Sequence, residues 1–193
     1  MTAPHRRRIV LSNVPLKSGE SGKTEPAVEV ITDDLKVEEL FEGALRRVTV
    51  GTLPSVPASN EGTGLPSFDS APGSGIVLPG GVNVYFLELA PGAATPMHRT
   101  VSSDYVVVNE GTPTLITPKS SFSVADGKGN WDGVDETVLN PGDTAVQRGS
   151  MHAWSNKTDK WVRMLAIVVD AKAVKVTVNS KTEELGESWL QTA

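Results

Sequence analysis

The sequence predicts an all-β protein built on one antiparallel sandwich or barrel. Three observations predict it. From Gly81 onward, short apolar or β-branched runs recur between Gly- and Pro-bearing turns. Within Val82–Leu89 the side chains alternate, with Val82, Val84, Phe86 and Glu88 on one face and Asn83, Tyr85, Leu87 and Leu89 on the other. Two similar stretches, Pro91-Gly92 to His98 and Pro141-Gly142 to His152, each set a tight turn ahead of an extended segment that carries a histidine near its end. That repetition places two imidazoles against one pocket.

The elements follow in order. Residues 1–75 read as an N-terminal arm with a short helix and a long loop, 76–178 as the barrel, and 179–193 as a short C-terminal helix and tail. Arg6-Arg7-Arg8 reads as a solvated tail. Ile9–Leu11 and Val28–Ile31 are strands, split by the polar stretch Lys17–Thr24. Asp33–Glu42 is predicted as a helix: Thr32 or Asp33 caps it, acidic residues crowd its start and Gly43 ends it. Leu35, Leu40 and Phe41 give that helix only a narrow apolar side. Arg46–Val50 is a strand, and residues 51–75, rich in Pro, Gly and Ser, form a loop long enough to be a lid or a solvated insertion.

Further strands are expected at Val82–Leu89, Tyr105–Val108, Thr112–Thr117, Ser121–Val124, Glu136–Leu139, Thr144–Val146, Met151–Trp154, Trp161–Asp170 and Val174–Val178. Asp126–Gly133 reads as a polar loop tip. Lys128 at an oxygen-ligand position argues against a calcium loop there. Glu183–Leu190 reads as the C-terminal helix, docked by Leu185, Trp189 and Leu190.

Bulk properties narrow the function. A chain of 193 residues suffices for one domain with a sizeable core. A net charge of −5 argues against a nucleic-acid partner. The absence of cysteine excludes disulfides, thiol catalysis and thiolate ligation. No apolar run approaches the ~20 residues of a membrane helix, and no secretory core follows Arg8. A soluble, cytoplasmic protein without nucleic-acid or membrane partners is therefore expected. No phosphate-cradling loop, nucleophile elbow or dinucleotide fingerprint is present.

The chemistry concentrates in two motifs. Gly92, His98, Asp104 and Gly111 form the first; Gly149, His152 and Asn156 form the second. In residues and spacing the pair resembles the two motifs of the cupin superfamily over about residues 81–170. The resemblance implies an antiparallel jelly-roll β-barrel with one or two short helices. It also implies a pocket in which three His and one Glu ordinarily hold Fe, Mn, Zn or a similar metal. This chain departs from that set. Thr100 stands at the second His, Asp104 at the Glu and Gln147 at the usual proline, and the gap after Gly142 is one residue short.

Three readings of the pocket stand open. In one, His98, Asp104 and His152 ligate one divalent metal (Fe, Mn or Zn), as two imidazoles and a carboxylate do in non-haem iron sites. In the second, the pocket is metal-free, and the same three residues do acid/base work. In the third they are satisfied core polar groups of a non-catalytic cupin. Thr100, Trp154 and Arg148 are the candidate substrate-binding residues. Arg99 is expected to point outward into a cross-strand ion pair, Tyr105 to face away from Asp104, and Met97 and Met151 to pack outside the barrel.

The leading expectation is a small-molecule enzyme of lyase or isomerase type. It would decarboxylate, dehydrate or cyclise an oxygenated, polyketide-like or aromatic substrate through His98, His152 and Asp104. An Fe(II)-dependent dioxygenase and a non-catalytic ligand-binding module are the alternatives. A homodimer through sheet-edge or arm exchange is expected from the fold class.

Overall fold

The structure, a computed structural model, describes residues 6–19, 24–65 and 76–191. These residues form strands, turns and irregular segments, and none is helical. The arm opens with β1 (Arg7–Asn13) and β2 (Val28–Asp34), paired antiparallel over their full length as a two-stranded ribbon. β3 (Glu38–Leu40) and β4 (Leu45–Leu53) form a hairpin, and β5 (Val82–Leu89) follows the long loop. β6 (His98–Arg99), β7 (Ser102–Glu110) and β8 (Thr114–Pro118) carry the first motif onward. β9 (Ser123–Ala125) and β10 (Lys128–Asn130) form a second hairpin, ahead of β11 (Val134–Val138), β12 (Thr144–Arg148) and β13 (Ala153–Ser155). β14 (Val162–Asp170), β15 (Val174–Val178), β16 (Lys181–Leu185) and β17 (Ser188–Trp189) complete the chain.

Two walls make the barrel. The larger is a six-stranded sheet in the order β12-β7-β14-β5-β4-β3, and the smaller is β11-β8-β13. The smaller wall is extended by β6 and β17, which pair with each other. The alternation in β5 holds: Asn83, Tyr85 and Leu89 are buried, and Tyr85 and Leu87 line the interior cavity. The registers set inner residues side by side across strands, as in the row Gln147, Asp104, Val168, Asn83, Thr52, all five buried. Gly92 and Gly142 take φ of +73° and +94° in the two Pro-Gly turns, a region open to glycine without steric cost.

The main core joins Leu45, Leu89, Val106, Val108, Trp154, Val162, Met164 and Val168. A second cluster holds Met97, Ala153 and Leu190 against Phe122, Trp131 and Met151. Met97 and Met151 therefore pack in a core of their own, beside the histidines that follow them.

Both expected helices are strands. The acidic residues that read as a helix start are cross-strand partners instead. Asp33 pairs with Arg8, Glu38 with Arg47 at 2.7 Å and Glu39 with Arg46 at 3.2 Å. Phe41, Glu42 and Gly43, all at positive φ, turn the β3–β4 hairpin where the helix end was expected. In the C-terminal segment, Glu184 faces Lys175 across β15–β16, around a turn with Asn179 and Ser180 at positive φ. The Asp126–Gly133 tip likewise contains the short strand β10.

The basic run is not a solvated tail. Arg6 meets the buried carboxylate of Glu88 through two hydrogen bonds of 2.9 and 2.5 Å, and Arg8 donates to the Val50 carbonyl. These contacts dock the arm on the outer face of β4 and β5. Residues 54–64 flank a groove beside the ribbon, apart from the main cavity, and the part of the expected long loop at 66–75 lies outside the described residues.

Candidate functional site

The two Pro-Gly turns deliver their histidines to adjacent positions. His98 and His152 face each other as an antiparallel pair that exchanges both backbone hydrogen bonds, each 2.8 Å long. Residues paired this way project their side chains to one face, and the imidazole centroids lie 4.3 Å apart. On its other side His98 pairs with Trp189 of β17. The indole lies flat on the imidazole, with centroids 4.2 Å apart and planes 3° from parallel. Three rings, His152, His98 and Trp189, thus form one cross-strand row.

Local hydrogen bonds set the tautomers. Nδ1 of His98 lies 2.8 Å from the Pro96 carbonyl, and Nδ1 of His152 lies 2.9 Å from the Ser150 carbonyl. A carbonyl oxygen only accepts, so each Nδ1 is the protonated nitrogen and each neutral ring keeps its lone pair on Nε2. Burial lowers the pKa of both. His152 falls to about 4, helped by the neighbouring His98, while the Ser150 carbonyl opposes the shift. His98 is lowered by burial against the opposing effects of the Pro96 carbonyl and Glu187. At neutral pH the pair is two uncharged bases that resist taking up a second proton.

These rings open on a cavity of about 370 Å³. The smaller wall contributes His98, His152, Thr95, Trp154 and Trp189; the larger contributes Arg47, Tyr85, Leu87, Asp104, Val106, Gln147 and Ala166. Asp104 is buried, and burial raises its carboxyl pKa against the Ser102 and Thr100 hydroxyls. Its Oδ2 accepts from Thr100 at 3.5 Å, while Oδ1 has no partner, nor has Nε2 of Gln147 directly across the strand pair. Tyr85 is buried with its pKa raised, first by burial and then by Asp104.

His98, Asp104, His152, Thr100 and Trp154, all expected at the site, therefore line one cavity. Arg148 does not: it follows inward-facing Gln147 on β12 and is exposed. Arg99 points outward as expected, and its Nε donates to the Gly186 carbonyl. Tyr105 faces away from Asp104 and is 47% exposed. Sequence reasoning passed over Tyr85, Arg47 and the stacking role of Trp189. The alternation in β5 already set Tyr85 on the face of Leu87, a signal that was there to use.

Among the described residues no three His, Cys, Asp or Glu side chains gather as a group able to hold an ion. The Thr100 hydroxyl, at the position of the expected third imidazole, is engaged with Ser102 and Asp104. The residues present do not fit a cupin-type metal set.

No protein-family model matches the chain. It is 36% identical over 111 residues to the phomopsin biosynthesis cluster protein D of Diaporthe leptostromiformis, covering 57% of this chain and 51% of that protein. It is 35% identical over 101 residues to the cupin-domain-containing oxidoreductase fogC of Aspergillus ruber, covering 51% of this chain and 42% of that one. The chain thus spans about half the length of these relatives. Among solved structures, the polyketide cyclase RemF from Streptomyces resistomycificus is similar at 15% identity and a TM-score of 0.46, over 83% of this chain and 82% of that one.

Proposed function

We propose that the chain is a cupin-type small-molecule enzyme of lyase or isomerase type acting by proton transfer in the barrel cavity. One observation carries the reading: two neutral imidazoles, each with Nδ1 committed to a backbone carbonyl and its lone pair free on Nε2, stand 4.3 Å apart in a largely apolar cavity. A neutral base inside apolar walls suits the removal of a proton from carbon next to a carbonyl. Nε2 of one histidine takes the proton, the electron pair moves onto the carbonyl oxygen, and the Asp104 carboxyl is the acid that returns a proton. Dehydration and ring closure share this step; in decarboxylation the order reverses, and carbon is protonated after carbon dioxide leaves. The relatives named for biosynthesis clusters support a substrate from secondary metabolism.

The test is deuterium uptake by a panel of enolisable aromatic ketones in D2O, followed by mass spectrometry. Exchange above buffer is expected with the wild type and is lost, by at least about a hundredfold, in His98→Ala and His152→Ala. Exchange unchanged in both folded variants would sink the proposal.

A second reading is favoured by the relatives named as oxidoreductases: an oxygen-consuming oxidoreductase acting in the same cavity. It requires oxygen consumption coupled to turnover, which an oxygen electrode reads directly. The protein is further proposed to work as a cytoplasmic homodimer.

A further inference from the structure

The larger wall of the cavity presents two hydrogen-bond donors to its contents, the Tyr85 hydroxyl and the Gln147 amide, whose Nε2 has no partner. Tyr85 is 7% exposed, lines the cavity, and its hydroxyl makes no hydrogen bond among the described residues. A buried tyrosine ordinarily finds a partner for its O–H, because leaving it unpaired costs free energy. The histidines enter from the smaller wall, so a molecule in the cavity lies between the Nε2 atoms on one side and this phenol on the other.

The surroundings decide what the phenol would bind. The Arg47 guanidinium also lines the cavity but is committed to Glu38 through Nε at 2.8 Å and Nη2 at 2.7 Å. Both imidazoles are neutral, and Asp104 sits close enough to oppose ionisation of Tyr85. An anionic group on the ligand would therefore meet no free cation and a carboxyl neighbour. A neutral oxygen acceptor meets the Tyr85 hydroxyl, with the unpartnered Gln147 amide as a second donor on the same wall. The remaining lining near Tyr85, Leu87, Val106, Ala166 and Val168, is apolar.

We infer that Tyr85 is a further catalytic residue, which donates its phenolic hydrogen to the carbonyl oxygen of a neutral, largely apolar ketone. This rests on the proton-transfer reading above and deepens it. As the imidazole removes the neighbouring proton, negative charge develops on that oxygen, where the donor is already oriented.

The test uses 2-acetonaphthone, carbonyl-labelled with ¹³C, and its oxygen-free counterpart 2-ethylnaphthalene. In the wild type the ketone is expected to bind about tenfold more tightly than the hydrocarbon, and its carbonyl stretch to move to lower frequency on binding. In Tyr85→Phe both the preference and the frequency shift disappear, hydrocarbon affinity is unchanged, and the thermal midpoint does not fall, because no internal hydrogen bond is lost. Equal binding of the two probes by the wild type, a shift that survives in Tyr85→Phe, or a variant destabilised as if a bond were broken would each overturn the assignment. His98→Ala retains the shift, so the two ideas fail separately: a missing shift with deuterium exchange intact refutes the Tyr85 role, and the reverse refutes proton transfer.

Discussion

His152 ties the cavity to the stability of the whole protein. Its folded pKa of about 4 lies below the ordinary 6.5, so between those values the unfolded chain binds the proton more readily than the folded one. Stability is therefore full above pH 6.5 and is lost as pH falls toward 4. This one group accounts for about 2 kcal/mol between pH 7 and pH 5. Urea unfolding at the two pH values should show the loss in the wild type and a much smaller one in His152→Gln. Asn156 has a different task. It is fully buried, its amide donates to the carbonyls of Leu89, Ala90 and Lys160, and its Oδ1 accepts from Thr158. Asn156→Ala orphans several of these groups and should cost about 3 kcal/mol by the same measurement. Both residues were legible in the sequence because their spacing from glycine is short-range information. Arg148 was misjudged because a neighbouring position in a strand faces the opposite way, and Gln147 holds the inward one.

Among the elements, the strands around the two motifs were readable because their alternation and turns are local. The segments Asp33–Glu42 and Glu183–Leu190 were not, because their acidic residues suit a helix start as well as a cross-strand partner. Arg46, Arg47 and Lys175 decide between the two, and where they sit is settled only by folding. The element with most bearing on the cavity is β17. It is held by two paired residues, the Arg99 bond to Gly186, backbone bonds from Leu190 to Met97 and from Gln191 to Gly127, and Leu190 anchored in the second cluster. Trp189 is 48% exposed on its outer side, so Trp189→Ala should lower the thermal midpoint by only a few degrees. It uncovers one face of His98, however. Modification of His98 by diethyl pyrocarbonate, followed by peptide mass spectrometry, should accelerate at least about threefold in that variant relative to His152, the buried internal reference.

At the scale of the molecule, the ribbon presents Ile9, Leu11, Val28 and Val30 to solvent, each 46% to 65% exposed. Exposed apolar side chains on one face of the ribbon suit a docking surface, and the proposed homodimer would seat a second copy of the chain there. Leu11→Lys with Val30→Lys should convert a dimer to monomer in sedimentation velocity and leave the far-ultraviolet circular dichroism unchanged. A wild type that sediments as a monomer at high concentration refutes the dimer. The ladder joining His98 to His152 carries a last consequence, which concerns chain length. Side chains on a strand change sides at every residue, so one residue inserted between Gly149 and His152 turns the second imidazole out of the cavity. One residue inserted between Ala58 and Ser59, exposed and outside every strand, lengthens only a loop. A single added codon therefore silences the pocket in one place and passes unnoticed in the other.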